Sequence, residues 1–492
     1  MGPFFASEIS RRSFLKTSGA VVGLAAGGGI LYGPASLFGA ASDPVNRTPL
    51  FPKHKPDVAL VFSHIPSGTA TWPTKDYDYA GRAKELETKL LQACPNINFV
   101  TKFVHSEAEA KALVKDMILM DGYLLYVIGL WTGAPNIILH SGKPVVMVDD
   151  LYAGSGEVLI QNGRARRENL RCVTVSSSDF GDVVKAARLF EPIRALKESV
   201  ILDIADSDIS PAAKAVKDFL GISVVKMGSE ELASYYAKAD ASEAEAWAKF
   251  WAKNAKKVVE PTAQDLLQSG RMYLALSQAA ADKKADAVTM DCLGMFYSGR
   301  IKAYPCLSHF QMNNDGGTGV CEADLNSTCT QLAMRYLTGR PGYVSDPVID
   351  TSKDEIIYAH CVATNRVFGP KGKANPYLIR SHAEDGQGAS VQSLMPSGET
   401  VTTLEIDTTT KKMVVHTGKT VGNINEAKAC RTKLAARSNT RTILDNWDMN
   451  WHRVTVYGEW RSQVLDLARL LGVVSVLEED KEHVQVSYKL TG

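Results

Sequence analysis

Gly319-Val320-Cys321-Glu322-Ala323-Asp324-Leu325-Asn326 and, one helix later, Leu337-Thr338-Gly339-Arg340-Pro341-Gly342-Tyr343-Val344-Ser345-Asp346 decide how this chain is read. Gly319–Cys321 is a short apolar lead-in closed by Glu322. The pattern from Leu325 to Leu337 is an amphipathic helix, and Thr338–Gly342 stops it. Tyr343-Val344-Ser345 then reads as a strand that delivers Asp346. A right-handed strand–helix–strand unit puts Glu322 and Asp346 at the carboxyl ends of neighbouring parallel strands, the edge where open α/β sheets bind ligands. Two carboxylates there can hold a divalent cation or serve as acid and base on either side of a substrate. Plainer readings exist. Glu322 is also a negative charge suited to a helix N-terminus, and Asp346 is a turn-former before Pro347.

Outward from this stretch the chain alternates short apolar strands with helices. Asp57–Phe62, Asn98–Val100, Gly122–Ile128 and Pro144–Asp149 read as strands, with helices at Arg82–Gln92 and Ser106–Met117. A second series begins at Ser199–Ile204. It continues through the helix Ser210–Leu220, the strand Ser223–Lys226, long helices at Glu243–Ala255 and Ala263–Ala281, and the buried strand Asp286–Met290. Such alternation indicates parallel, doubly wound sheets. After Asp350 the character changes. Val391–Val421 alternates apolar and polar residues between turns at Pro396-Ser397-Gly398 and Asp407–Lys411, as in antiparallel strands of a barrel or sandwich. The last residues hold Trp451–Tyr457, a helix Arg461–Leu471 and a strand Val484–Tyr488. The expected fold is α/β: two doubly wound domains, 56–195 and 196–350, then a β-rich domain, 351–492.

A chain of 492 residues is too long for one core. Its 45% hydrophobic and 22% charged content suit a soluble enzyme. The net charge is +1, with no basic stripe and no aromatic–basic interleaving, so nucleic acid is a poor candidate and no nucleic-acid partner is expected. The eight cysteines (Cys94, Cys172, Cys292, Cys306, Cys321, Cys329, Cys361 and Cys430) form no C-x-x-C pair, which argues against a zinc ribbon or a thioredoxin-type motif. They read as small buried hydrophobes, with one or two disulfides open to an exported protein.

Ser10-Arg11-Arg12-Ser13-Phe14-Leu15-Lys16 has the twin-arginine export pattern at every position. A Gly/Ala-rich apolar stretch follows, and Gly39-Ala40-Ala41 suits a signal peptidase. Residues 1–41 are therefore expected to be a signal peptide, cleaved or kept as an anchor, and 42–55 a linker. Export through this route carries a protein that is already folded and already loaded with any metal, into a periplasmic or other extracytoplasmic space.

No G-x-S-x-G and no H-E-x-x-H is present, so serine hydrolase and zincin chemistry lose support. Asp315-Gly316-Gly317-Thr318-Gly319 lacks the Lys of a P-loop and reads as a tight, mobile loop at the active site. Glu322-Ala323-Asp324-Leu325-Asn326, Leu337-Thr338-Gly339 and Asp346-Pro347-Val348 resemble the metal-binding segment of the L-fucose isomerase family, with a similar Glu-to-Asp separation. Trp451–Gly458, followed by a helix and Leu470-Leu471-Gly472-Val473, resembles the C-terminal part of fucose and arabinose isomerase-like proteins. The resemblance is loose over Pro56–Tyr488 and specific over Cys306–Asp350 and Asn446–Gly472. The chain is shorter than those isomerases and carries an export signal, so substrate identity does not transfer.

The resemblance implies that Glu322, Asp346 and His452 hold a divalent metal, by family precedent Mn²⁺, and that the two carboxylates are catalytic. It implies aldose–ketose isomerisation of a small sugar through an enediolate, in a homo-oligomer, a trimer or hexamer. His452 is otherwise a histidine packed among Trp447, Trp451 and Tyr457, and Asp324 a residue behind the ligands or a charge at the helix start. His360 and His382 are further polar candidates. His382, in the polar loop Arg380–Gly386, either contacts sugar hydroxyls or is simply exposed. Competing readings are a sugar-binding protein without turnover, and an epimerase or lyase using the same enediolate chemistry.

Overall fold

The computed structural model describes residues 53–68 and 72–482. The expected signal peptide, most of the linker and the expected strand Val484–Tyr488 lie outside these residues. The apolar run after Pro56 forms β1 (Asp57–Ser63), joined by β2 (Asn98–Val104), β3 (Gly122–Val127), β4 (Val145–Asp149) and β5 (Cys172–Val175). The five pair in parallel in the order β2-β1-β3-β4-β5. Val58, Leu60 and Phe62 turn to one core and Ala59 and Val61 to another. Burial on both faces is why β1 reads as a continuous apolar run instead of an alternating one.

A second parallel sheet is built from β6 (Val200–Ile204) and β7 (Ser223–Met227) and, beyond a two-residue strand β8 (Lys257–Val258), from β9 (Ala287–Met290) and β10 (Gly319–Cys321). Its order, β10-β9-β6-β7, repeats the layout of the first four strands of the first sheet. Helices fall where expected, including Ser210–Leu220 and Ala263–Asp282, the latter started by a Thr262–Asp265 capping box.

The chain then leaves the parallel sheets. Strand β11 (Tyr343–Asp350) pairs antiparallel with β12 (Glu355–His360), and two short strands, β13 (Tyr377–Arg380) and β14 (Ser390–Ser393), join β8 in a small sheet. The remaining strands are β15 (Thr400–Asp407), β16 (Lys412–Asn423), β17 (Thr432–Arg437), β18 (Arg453–Tyr457) and β19 (Ser475–Glu478). Hydrogen bonding runs β15-β18-β11-β12-β17-β16 and returns from β16 to β15 over the whole of Thr400–Asp407, so six strands close on themselves. Strand β19 adds to the outside of β16. Closure decides between barrel and sandwich in favour of a barrel and removes the exposed edges of an open sheet.

One expectation is corrected here. Glu322 does follow β10 of the parallel sheet, but Asp346 is not on its parallel neighbour. Asp346 lies inside the antiparallel barrel strand β11, opposite Ala359 of β12. Nor does Asp346 form a turn. Pro347 sits in the same strand, where the pairing with β18 has ended at Ser345, so its missing N–H costs no ladder bond on that side.

The helix Leu325–Thr338 joins the two units. Asp324 caps its start, and Gly339 ends it in the left-handed region with its N–H on Arg335 O. Its polar face docks on the barrel: Thr330 and Gln331 side chains accept from the N–H groups of Ile406 and Val344, and Asn326 accepts from Thr408. Leu332 and Cys329 are fully buried on this helix. Burial of such a leucine contributes about 1.5–3 kcal/mol.

Candidate metal centre

Four chain segments meet where the carboxyl end of β10 abuts the rim of the barrel. Register explains the meeting. Ser345 lies opposite Arg453, so the next residue outward on each strand, Asp346 and His452, face one another. His360 ends β12 one position beyond Ala359, the partner of Asp346. Glu322 arrives from the parallel sheet with φ 67° and Ala323 follows with φ 52°. Two consecutive non-glycine residues in the left-handed region store backbone strain of roughly 1–3 kcal/mol each. That sharp bend turns the chain from β10 into the capped helix and aims the Glu322 carboxylate at the barrel rim.

The distances are short. His452 Nε2 lies 3.1 Å from Asp346 Oδ1 and 3.5 Å from Glu322 Oε2. His452 Nδ1 lies 2.7 Å from Asp324 Oδ2. His360 Nε2 lies 3.6 Å from Glu322 Oε1 and has no hydrogen-bond partner although His360 is 2% exposed. Ligand atoms of Glu322, His360 and His452 all fall within 4.8 Å of one another, a spacing that could hold a metal ion. Trp447, a proposed packing partner of His452, stacks instead on the Arg453 guanidinium at 3.9 Å, and Tyr457 donates its hydroxyl to Pro396 O.

Electrostatics follow from this crowding. Burial disfavours a charge on His452, but hydrogen bonds and charge from Asp324 and Asp346 override it and push the imidazole up to about 11. Burial also opposes ionisation of Asp324 and Asp346, yet His452 outweighs it and holds both carboxyls below the usual range. Glu322 is pushed up by burial, with Asp346, Glu384 and Asp324 adding to the push against His452. His360 is pulled down to about 4, chiefly by burial, and so is neutral at neutral pH. The cluster concentrates negative charge, and the proton on His452 compensates part of it.

Of the remaining sequence candidates, His382 is buried at 4% exposure, not exposed on its loop, and stacks on Tyr304 with ring centres 4.3 Å apart. Its Nδ1 has no hydrogen-bond partner. Its own loop, Ser381–Gly388, closes one wall of a cavity of about 760 Å³ that Glu260, Thr262, Tyr297 and Lys302 also line, although His382 itself does not. Glu322, Asp346 and His452 do not line that cavity. The glycine loop Asp315–Gly319 is tight, but it feeds the amino end of β10, away from Glu322 at the carboxyl end. The Asn313 side chain brackets Gly319 through both its N–H and its carbonyl at 2.9 Å. A Cβ on Gly319 would come within 2.8 Å of the His309 backbone, so only glycine fits there.

Sequence reading undervalued Asp324, which both caps the helix and holds His452, and it missed Cys361 and Cys430. With an imidazole nitrogen of His360 these thiols form a second group whose ligand atoms lie within 4.8 Å of one another. All eight cysteines are unpaired, and seven of them are buried.

A family model for the TAT (twin-arginine translocation) pathway signal sequence matches residues 8–28. A search of curated proteins finds no match for the chain. Among the described residues no helix is long and apolar enough to cross a membrane. The N-terminal signal makes this an exported protein, carried by the twin-arginine pathway to an extracytoplasmic location.

Proposed function

We propose that the chain is an exported, divalent-metal-dependent sugar isomerase interconverting an aldose and a ketose. The observation that carries this reading is the Asp324–His452 hydrogen bond, which turns His452 Nε2 toward Glu322 and Asp346. A carboxylate holding Nδ1–H while Nε2 points at further carboxylates is the arrangement that supports imidazole ligation of a metal. The chemistry of the donors fits the ion: two carboxylates and an imidazole suit Mn²⁺ or a similar hard cation. Glu322, Asp346 and His452 would hold it. When bound, such an ion supplies Lewis acidity to the carbonyl oxygen of an open-chain sugar, an effect worth several kcal/mol.

The side chains divide the remaining work. Asp346, kept ionised by His452, balances positive charge. Glu322, its carboxyl raised above the usual range by burial, would take a proton from C2 and return it to C1, contributing roughly 10²–10⁴-fold. Neutral His360, whose Nδ1 accepts the Cys361 N–H, turns an Nε2–H toward Glu322 without adding charge. His382 lies in the loop bordering the large cavity and is a candidate for contact with sugar hydroxyls. The native assembly is expected to be a trimer or hexamer, and a monomer by light scattering would contradict that.

The test is metal analysis of the purified protein together with a panel of aldoses and ketoses in deuterium oxide. Deuterium entering C2 of a sugar while the other isomer accumulates supports the reading. Sugar binding without exchange indicates a binding protein, and a C2 epimer or a cleaved product indicates an epimerase or lyase.

A further inference from the structure

Asp346 presents its two oxygens to different surroundings. Oδ1 faces His452 Nε2 at 3.1 Å, while Oδ2 faces Cys430 Sγ at 3.9 Å. Behind Cys430 lie Cys361 and His360, and one ligand atom from each of the three falls within 4.8 Å of the others. His360 and Cys361 are almost wholly buried, and Cys430 is partly so. A tetrahedral ion bonded to sulfur and nitrogen at about 2.0–2.3 Å holds its donors roughly 3.3–3.8 Å apart. The three donors lie within 4.8 Å of one another, so they would draw together on binding such an ion.

We infer that Asp346 bridges two cation positions, and that the second, formed by Cys361, Cys430, an imidazole nitrogen of His360 and Asp346 Oδ2, takes a thiophilic divalent ion of the zinc type. The inference rests on the metal reading of Glu322, Asp346 and His452 for its bridge, but its sulfur donors belong to no part of that reading. The two positions differ in chemistry. Carboxylates with one imidazole select a hard ion, whereas two thiolates with imidazole and carboxylate select a softer one. Binding is not a redox step. Each cysteine loses its thiol proton to solvent as its sulfur bonds to the ion, and no electron moves.

Cysteine contacts supply a reason for keeping these thiols reduced and unlinked. Cys430 points its thiol at the Asp346 carboxylate, Sγ to Oδ2 3.9 Å, and Cys361 beside it is almost wholly buried. Folding in the reducing cytoplasm before export lets a metal occupy this position ahead of any oxidant.

The experiment titrates metal-stripped full-length protein, held under a phosphine reductant, with Co²⁺ while recording the near-ultraviolet and visible spectrum. Two equivalents should bind, one of them with a sulfur-to-cobalt charge-transfer band. Cys430→Ser or Cys361→Ser should remove that band and one equivalent, and His452→Ala should lose the other equivalent and keep the band. Cys172→Ser, a buried thiol in the first sheet, should change neither. One equivalent without the band in the native protein overturns the second position and leaves the carboxylate site standing. One equivalent with the band overturns the carboxylate site and the bridge. No binding overturns both. A band that survives both cysteine substitutions overturns this assignment of the donors. The native spectrum is decisive even if a variant fails to fold.

Discussion

Asp324 Oδ2 lies 2.7 Å from His452 Nδ1, while Oδ1 of the same carboxylate accepts the N–H groups of Asn326 and Ser327 at the start of the helix. One side chain thus caps the helix that leaves the parallel sheet and orients the imidazole at the barrel rim. Asp324→Asn separates the two tasks. The amide oxygen still caps, since Asn serves as well as Asp. The amide NH₂ now donates to Nδ1, which forces the proton onto Nε2 and removes the lone pair a metal needs. Affinity for Mn²⁺ should fall about 10–100-fold, with melting displaced by only a few degrees. Calorimetric titration beside a thermal melt checks both, and unchanged affinity would remove Asp324 from the site.

Glu322→Gln and His452→Ala should each lower bound metal and activity with the fold intact. The pH dependence has a definite sign. In the metal-free protein His452 carries a proton up to about 11, so an ion taking Nε2 must displace it. Metal affinity should therefore rise by up to about tenfold per pH unit through neutrality, and His452→Ala should flatten that slope. Full metal content in both variants by elemental analysis would be incompatible with the assignment.

The parallel sheets were legible because strands buried on both faces, such as Asp57–Ser63 and Val145–Asp149, write themselves as apolar runs. The helix Leu325–Thr338 announced itself by its period and its Gly339 stop. The direction of Tyr343–Asp350 was not legible. Tyr343-Val344-Ser345 does not say which sheet it joins, and its partners, Arg453, Val454 and Thr455, lie far along the chain. Helix-bounded strands nearby made a parallel neighbour the natural expectation, and barrel closure between β15 and β16 won instead. The strand–helix–strand unit brought Glu322 and Asp346 together, though on the wrong neighbour, and His452 could be added only through the resemblance. That of Cys361 and Cys430 to Asp346 depends on barrel register, which no local pattern encodes.

Asp203 gives a prediction about stability. It lies on β6 with no exposure, and neither carboxyl oxygen has a hydrogen-bond partner. Burial above all, with Asp291 and Asp324 adding and Lys226 opposing, pushes its carboxyl from 3.8 up to about 7. Between those values the folded protein holds a proton that the unfolded chain has lost, so stability falls as pH rises through that window and levels off above it. Asp203→Asn stays neutral and should escape the loss. Relative to the native protein it should gain up to about 4 kcal/mol between roughly pH 4 and pH 7.5. Denaturant unfolding at the two pH values measures the difference, and parallel curves would mean that Asp203 is solvated or paired.

Glu479 links the barrel to the centre. Its carboxylate, fully buried, meets Arg453 Nη2 at 2.7 Å and His416 Nδ1 at 2.8 Å, and His416 Nε2 meets the Tyr358 hydroxyl at 2.8 Å. Burial opposes its charge, but His416 and Arg453 prevail and keep the carboxyl below its usual range. This contribution is complete above the ordinary glutamate value and is lost as pH falls through the lower folded one. Glu479→Ala would strand the Arg453 guanidinium in a dry interior, at a cost of about 3–5 kcal/mol. Arg453 also donates from Nη1 to the carbonyl of His452 at 2.9 Å, so its release loosens the residue that faces Asp346. The variant should therefore lose metal affinity as well as stability, although Glu479 touches no proposed ligand. Glu479→Gln keeps an acceptor for Arg453 and should lose less of both. Equal losses in the two variants would mean that shape, not charge, is what Glu479 supplies.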